Sequence, residues 1–148
     1  MPYILLRDDG TEPLFTIDHG VGVGMANQRK DVALVQYFLR NLLYSHKLYR
    51  GVALKEPLGP GFDITGIWDS ESAAYLKRWE ELVFAPGNAT FNTPPPFPGT
   101  VVSTRRGGQK INEMNQMSRV VFGASLHNAL KLPYAFMPDW LRADLFYK

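Results

Sequence analysis

The feature that most constrains this chain is a broad apolar helix face that carries a single amide. Apolar side chains recur at the i, i+3, i+4, i+7 spacing of a helix at Val32, Val35, Leu39, Leu42 and Leu43. We therefore predict a helix near residues 28–46, with Asn27 as its N-cap. Gln36 lies on the same face, where an amide costs free energy unless it is hydrogen-bonded. We expect Gln36 to bond the backbone of a neighbouring turn.

A second helix is predicted near residues 70–83, after a turn that contains Gly66. Glycine allows a backbone angle that is closed to most residues, and Asp69 or Ser70 can cap the helix that follows. The apolar face of this helix comprises Tyr75, Leu76, Trp79, Leu82 and Val83. We expect the two helices to pack through Leu39, Leu42, Tyr75, Leu76 and Trp79.

Residues 31–39 and 64–80 together resemble the peptidoglycan-binding domain family. That family carries an Asp-Val-x-x-Val/Leu-Gln-x-x-Leu helix, a turn with glycine and an aromatic residue, and a helix that starts near Thr and ends in Phe-Gln. The corresponding positions in this chain are Gln36, Gly66, Ser72 in place of the Thr, and Trp79 in place of the Phe.

This resemblance covers about residues 21–82 and implies a mainly α, peptidoglycan-binding-like three-helix bundle. It implies non-catalytic binding of bacterial cell-wall glycan or its stem peptide. The candidates for ligand contact are Gln36, Thr65, Trp68 and Asp69. An exposed indole edge can stack on a sugar, and the polar groups can hydrogen-bond it. The structural interpretation stands beside this one: Trp68 fills the core, Asp69 caps a helix and Gln36 bonds the turn.

The chain of 148 residues suits a single domain. We divide it into an N-terminal β-hairpin, a peptidoglycan-binding-like core, a proline-containing strap and a long C-terminal helical extension: residues 1–20, 21–83, 84–108 and 109–148. Strand-like runs at 3–7 and 14–17 flank an Asp-Gly turn and predict the hairpin. In the extension we predict a helix from about 110 to 130 and a short helix after Pro138.

The strap is the least helical part of the sequence. Several prolines remove amide donors and favour a polyproline II backbone: Pro94, Pro95, Pro96 and Pro98. Phe91 and Phe97 offer apolar anchors that a free linker would not need, so they are candidates for contact with a partner. The alternative is that both rings pin the strap to its own bundle.

No motif predicts catalysis or a cofactor. The chain has no cysteine, no Gly-x-Ser-x-Gly elbow and no metal-ligand spacing among its 3 histidines. The glycine string at residues 20–24 lacks the Gly-Lys-Ser/Thr ending of a phosphate-binding loop. Neighbouring carboxylates such as Glu80 and Glu81 fit a solvated helix face, although a hydrolase whose carboxylates meet only on folding stays open. We predict no enzyme activity, no cofactor, and no catalytic or metal-ligating residue.

Charge and hydropathy narrow the classes of partner that this chain is expected to bind. The chain has 16 Lys+Arg against 14 Asp+Glu, so no strong field points to nucleic acid. The densest basic cluster, residues 105–110, is interpreted as a solvated loop. The first apolar run is broken by Arg7, which makes it too short for a signal peptide or a membrane span. We expect cytoplasmic synthesis, no membrane insertion, and delivery to the wall by a phage particle or a dedicated secretion system.

A protein-interaction or structural role is the alternative function, in a phage particle, a secretion apparatus or a toxin-related complex. Thr65, Asp69 and Glu80 stand where the family has Asp, Gly and Gln. The altered turn residues, the missing export signal and the large extension outside the family pattern favour this alternative. The aromatic content of 13% suits sugar stacking and a protein interface equally. The sequence leaves both functions open.

Overall fold

The structure is a computed structural model that describes residues 3–6, 13–44, 48–49, 52–53, 63–84, 97–102, 109–122 and 139–141. These parts are mainly helical, as predicted. The helices are α1 at Arg29–Tyr44, α2 at Ser70–Val83 and α3 at Gln109–Phe122, and a helical turn lies at 139–141. None of the described helices is long and apolar enough to cross a membrane. The predicted continuation of the third helix to residue 130 lies outside the described residues.

Short antiparallel ribbons connect the helices. β1 (Tyr3–Leu6) pairs with β2 (Pro13–Thr16), which confirms the predicted N-terminal hairpin. β3 (Val21–Gly22) pairs with β6 (Thr100–Val101), and β4 (Leu48–Tyr49) pairs with β5 (Val52–Ala53). The sequence does not predict these last two ribbons, because strands of 2 residues are too short to show an alternating pattern. The β3–β6 ribbon holds residues 100–101 beside residues 21–22.

The buried apolar side chains form one cluster, to which all three helices contribute. Leu39 and Leu42 of α1 and Leu76 and Trp79 of α2 are each 0% exposed, so their predicted burial is confirmed. The indole N–H of Trp79 donates a hydrogen bond to the sulfur of Met117 in α3 at 3.3 Å. This bond satisfies the polar atom of the largest buried side chain and links α2 to α3.

A buried amide joins the N-terminal hairpin to α3. Asn115 Oδ1 accepts from the backbone N–H of Phe15 at 2.8 Å, and Asn115 Nδ2 donates to the backbone oxygen of Phe15 at 2.7 Å. The side chain pairs with β2 as a neighbouring strand would, and it gives the buried backbone N–H and C=O of Phe15 hydrogen-bond partners. Phe15 is 0% exposed, so this edge of the hairpin is part of the core.

A second amide organises the segment before α1. Asn27 Oδ1 accepts from Gly22 N at 2.7 Å, and Asn27 Nδ2 donates to the backbone oxygen of Gly22 at 3.0 Å. The predicted N-cap role of Asn27 is therefore wrong. Its amide covers the free edge of β3, and α1 begins with a backbone bond from Val32 N to the oxygen of Gln28 at 2.9 Å.

Candidate functional site

The amide of Gln36 holds a turn of the chain against α1. Gln36 Oε1 accepts from the backbone N–H groups of Thr65 and Gly66, at 3.0 and 2.9 Å. Its Nε2 donates to the backbone oxygen of Ile67 and to Ser72 Oγ, both at 2.9 Å. Gln36 is 1% exposed, so the predicted bond between its amide and the turn is confirmed. We refer to residues 65–69 as the Gln36 turn.

Further hydrogen bonds tie the Gln36 turn to α2. The backbone N–H of Ile67 donates to Thr65 Oγ1 at 3.1 Å. Asp69 is the N-cap of α2, and its Oδ1 accepts from Ser72 N at 2.8 Å and from Ser72 Oγ at 2.7 Å. The bond from the Ser72 backbone lowers the pKa of Asp69 below its ordinary value of 3.8. The predicted cap is confirmed, and Ser72 connects it to the Gln36 amide.

The Gln36 turn also packs closely against the first residue of α1. Gly66 has a φ of +78°, which L side chains rarely adopt. A β-carbon at Gly66 would lie 2.5 Å from Arg29 Cγ and 2.8 Å from the backbone oxygen of Arg29. Glycine is required at position 66 for two reasons, the positive φ and the lack of room for a β-carbon beside Arg29.

The structure brings the four predicted ligand contacts together, but it gives them different roles. Gln36 is buried and its amide is fully engaged, so it positions the turn and presents nothing to a ligand. Thr65 and Asp69 lie at the surface. Trp68 is partly buried against the core, and its indole nitrogen is buried without a hydrogen-bond partner. The outward surface of the turn therefore comprises Thr65, Asp69, part of Trp68 and Ile67.

Ile67 is the residue of this surface that the sequence pattern does not predict. Its side chain is 67% exposed, between Gly66 and Trp68. The available signal is that Ile67 belongs to neither helical apolar face, although it lies in a turn whose backbone is bonded to Gln36. The hydrogen-bonded backbone of the turn therefore displays an exposed apolar side chain.

A stacked cation lies beside the same turn. The guanidinium carbon of Arg29 lies 4.2 Å from the centre of the Trp140 ring, within the range of a cation–π interaction. Arg29 is exposed, whereas Trp140 is partly buried and packs against the core. The sequence does not predict this contact, because local patterns do not reveal that the helical turn at 139–141 returns to the start of α1.

A second turn is held by a buried ion pair. Lys110 Nζ lies 3.0 Å from Glu80 Oε2 and donates to the backbone oxygens of Phe97 and Thr100, both at 2.7 Å. Glu80 Oε1 accepts from the backbone N–H of Gly99 at 3.0 Å. The interpretations of Lys110 as part of a solvated loop and of Glu80 as part of a solvated helix face are wrong, since their side chains are 4% and 6% exposed. We refer to residues 97–100 as the Phe97 turn.

Burial and pairing act in opposite directions on Lys110. Burial lowers its pKa from the ordinary value of 10.5, and the hydrogen bond and charge of Glu80 oppose that change. Each ammonium donor has an oxygen acceptor, on Glu80, Phe97 and Thr100. A lysine with this set of partners has a structural role, and no N–H is left to contact a substrate.

Phe97 points away from the protein. Its side chain is 69% exposed, and its φ of +49° is uncommon for a residue with a β-carbon. The interpretation that this ring pins the strap to its own bundle is therefore wrong for Phe97. Phe91 lies outside the described residues. Val23, which is 73% exposed, lies near the Phe97 turn, since its backbone N–H donates to the oxygen of Gly99 at 3.4 Å.

The carboxylates nearest to a histidine also have structural roles. Asp31 is 0% exposed, and it accepts from the backbone N–H groups of Asp18 and His19 at 3.1 and 3.0 Å. His19 Nδ1 lies 3.6 Å from both Asp18 Oδ2 and Asp31 Oδ2. Among the described residues, no group of three histidine or carboxylate side chains could hold a metal ion.

Comparisons with known proteins do not place the chain in a family. No protein-family model matches it, and neither the curated proteins nor the solved structures include a significant match. The remaining indications of function are the geometry of the two turns and the sequence resemblance.

Proposed function

We propose that this protein is a non-catalytic binding module with a peptidoglycan-binding-like three-helix bundle and a C-terminal helical extension. Its ligand is bacterial cell-wall glycan or the stem peptide attached to it. The single observation that carries the proposal is the Gln36 turn. Gln36, Gly66 and Ser72 are positions that match the family pattern, and all three take part in the same hydrogen-bonded unit.

The physical reason for the pattern supports the proposal. The buried amide of Gln36 accepts from Gly66 N and donates to Ser72 Oγ, so it needs a hydroxyl residue at position 72. Glycine is needed at position 66 because of its positive φ and its close contact with Arg29. Ser72 offers the hydroxyl that the family's Thr offers. Asp69, which departs from the family's glycine, is used here as the N-cap of α2.

Ligand contact belongs to the outer surface of the turn. Ile67 and the edge of Trp68 offer apolar contacts to a sugar ring or an alanyl methyl group, and Thr65 and Asp69 offer hydrogen-bonding groups. Gln36 acts indirectly by fixing the backbone that carries them. Preorganisation of this kind lowers the entropy cost of binding, because the turn does not have to be ordered by the ligand.

Co-sedimentation with purified sacculi tests the proposal. Wild-type protein is expected in the pellet, and Ile67→Ser is expected to shift to the supernatant with an unchanged thermal midpoint. Val23→Ser is the matched control, because Val23 is 73% exposed and outside the Gln36 turn. Absence of wild-type protein from the pellet, or equal retention of Ile67→Ser, would count against wall binding through this turn. Clearing of cell walls by the purified protein in a zymogram would overturn the non-catalytic assignment.

The alternative function is protein interaction within a phage particle, a secretion apparatus or a toxin-related complex. The observation that favours it is Phe97, which is 69% exposed on a turn that is held by a buried ion pair. Exposed aromatic side chains on a fixed backbone are typical anchors of protein interfaces. In this case a stoichiometric protein captured from lysate by the wild type is lost with Phe97→Ser, and sacculi retain neither protein.

A further inference from the structure

Among the residues that the structure describes, the exposed guanidinium of Arg29 has no counter-ion. Within the part of the chain that the structure describes, Arg29 makes no ion pair and no side-chain hydrogen bond, and its one polar contact is the Trp140 ring. Many exposed arginines are simply solvated. Arg29 differs because two other segments fix its position.

Both segments restrict the side chain at opposite ends. Gly66 packs against the aliphatic part, where a β-carbon would lie 2.5 Å from Arg29 Cγ. Trp140 stacks on the charged end, with the guanidinium carbon 4.2 Å from the ring centre. Stacking leaves the in-plane N–H groups of a guanidinium free, and these are the groups that bind a carboxylate in bidentate geometry. Arg29 is therefore preorganised for an anion.

The surroundings of Arg29 specify the anion further. Ile67, which is 67% exposed, follows the glycine that packs on Arg29. A carboxylate with a small apolar substituent matches a fixed cation beside an exposed isoleucine. Phosphate offers no apolar group for Ile67, and a neutral sugar offers no charge for Arg29.

We propose that Arg29, stacked on Trp140, binds a carboxylate of the ligand, and that Ile67 contacts the apolar group next to that carboxylate. The inference deepens the proposed function, on which it rests. In cell-wall material the carboxylate belongs either to the stem peptide or to the lactyl group of muramic acid. These two sources share the chemistry that Arg29 recognises.

Titration of soluble wall fragments tests the inference. The probes are a disaccharide–tetrapeptide, the same compound with its carboxylates converted to methyl esters, and the disaccharide with a free lactyl carboxylate. Arg29→Gln is expected to weaken binding of the carboxylate form by about tenfold or more, because a charge-assisted hydrogen-bonded pair is lost. Arg29→Gln is expected to have no effect on the ester, which wild type binds weakly. The two carboxylate probes identify the source.

Two variants sharpen the result. Arg40→Gln is the matched control, since it removes the same charge from α1 about 16 Å further along the helix at a rise of 1.5 Å per residue. It is expected to bind like wild type. Arg29→Lys keeps the charge but not the planar fork, and we expect an affinity between those of wild type and Arg29→Gln.

The outcomes separate this inference from the proposed function. If wild type binds carboxylate and ester forms equally, or if Arg29→Gln weakens both equally, Arg29 is not a carboxylate site although the wall module stands. If wild type binds no wall fragment, the proposed function fails. The carboxylate site is then tested by adding N-acetyl-D-alanine or its methyl ester and recording NMR spectra. Selective changes in the Arg29 Nε–H and Trp140 indole NMR signals with the acid would support it, and their absence would overturn it.

Discussion

Two turns of this protein each display an exposed apolar side chain above a buried polar group. In the Gln36 turn, Ile67 is 67% exposed, and in the Phe97 turn, Phe97 is 69% exposed. Both turns contain a glycine at nearly the same positive φ, +78° at Gly66 and +79° at Gly99. In each turn a buried side chain accepts from the N–H of that glycine, Gln36 at 2.9 Å and Glu80 at 3.0 Å.

The chemistry that holds the two turns differs. Gln36 supplies acceptor and donor from one neutral amide, whereas the Phe97 turn divides these tasks between Glu80 and Lys110. A neutral amide is cheaper to bury than an ion pair, because ions lose several kcal/mol of hydration each before their attraction offsets the loss. Loss of a hydrogen-bond partner from the neutral Gln36 amide is therefore expected to cost moderate stability. Loss of one member of the Glu80–Lys110 pair leaves a buried charge and costs more.

The largest expected effect comes from breaking the ion pair. Lys110→Met is predicted to lower the free energy of unfolding by about 3–5 kcal/mol, because the charge of Glu80 stays buried without its counter-ion. Equilibrium denaturant unfolding measures the change.

The double variant Lys110→Met/Glu80→Gln is the control for that measurement. The glutamine oxygen can still accept from Gly99 N, and no charge is stranded, so we expect most of the lost stability to return. Equal stability of the single and double variants would show that the ion pair does not carry the cost.

Removal of the Gln36 amide is expected to cost less stability than removal of Lys110. Gln36→Leu leaves the buried N–H of Gly66 without an acceptor and removes a partner of Ser72, so we predict a loss of about 2–3 kcal/mol in the free energy of unfolding. Gln28→Leu, at an exposed position just before α1, is expected to change it by less than about 0.5 kcal/mol. The comparison would be contradicted if Gln36→Leu proved more damaging than Lys110→Met.

The two glycines allow a matched test of packing. Gly99→Ala is predicted to cost about 1 kcal/mol, from the backbone angle alone, because the nearest atom to a new β-carbon is Val23 Cγ2 at 3.9 Å. Gly66→Ala carries the same angle and also meets the backbone oxygen of Arg29 at 2.8 Å. We therefore expect at least about 1 kcal/mol more for Gly66→Ala in the same unfolding assay. Equal losses would mean that Gly66 is not closely packed.

The smallest expected effect is a dependence on acid at the Gln36 turn. The Ser72 N–H lowers the pKa of Asp69 from 3.8, so the folded state holds fewer protons on Asp69 than the unfolded state does. This stabilisation is fully present above pH 3.8 and is lost as pH falls through the lowered value. Asp69→Asn keeps a cap that does not titrate, and its stability is predicted to fall less than that of wild type between pH 4 and pH 2. Parallel curves would exclude a contribution from Asp69.

The sequence predicts the parts of this structure that repeat at a helical period or that follow from one residue's local chemistry. The faces of α1 and α2, the N-terminal hairpin and the Asp69 cap are examples. The bond between Gln36 and the turn is predicted because a buried amide requires hydrogen-bond partners, and a glycine-containing turn offers backbone groups that no helix has paired.

The missed contacts join segments that are distant in the chain. Lys110 pairs with Glu80, Arg29 stacks on Trp140, and Asn115 bonds Phe15. The position of Lys110 in a basic cluster predicts a solvated side chain, whereas the fold buries it. The exposure of Ile67 and Phe97 also cannot be predicted from the neighbouring sequence, because an apolar residue in a turn can be either buried or exposed.

The wall-binding role of the Gln36 turn is tested by comparing the two displayed side chains, Ile67 and Phe97, on the same ligand. Sacculus-binding isotherms of Ile67→Ser and Phe97→Ser are measured beside wild type, with thermal midpoints to show that all three proteins are folded. We predict that Ile67→Ser weakens wall binding by about tenfold or more and that Phe97→Ser binds like wild type, since burial of one large apolar side chain contributes about 1.5–3 kcal/mol. Loss of binding with Phe97→Ser, together with retention by Ile67→Ser, would contradict the assignment of the Gln36 turn as the wall-binding surface.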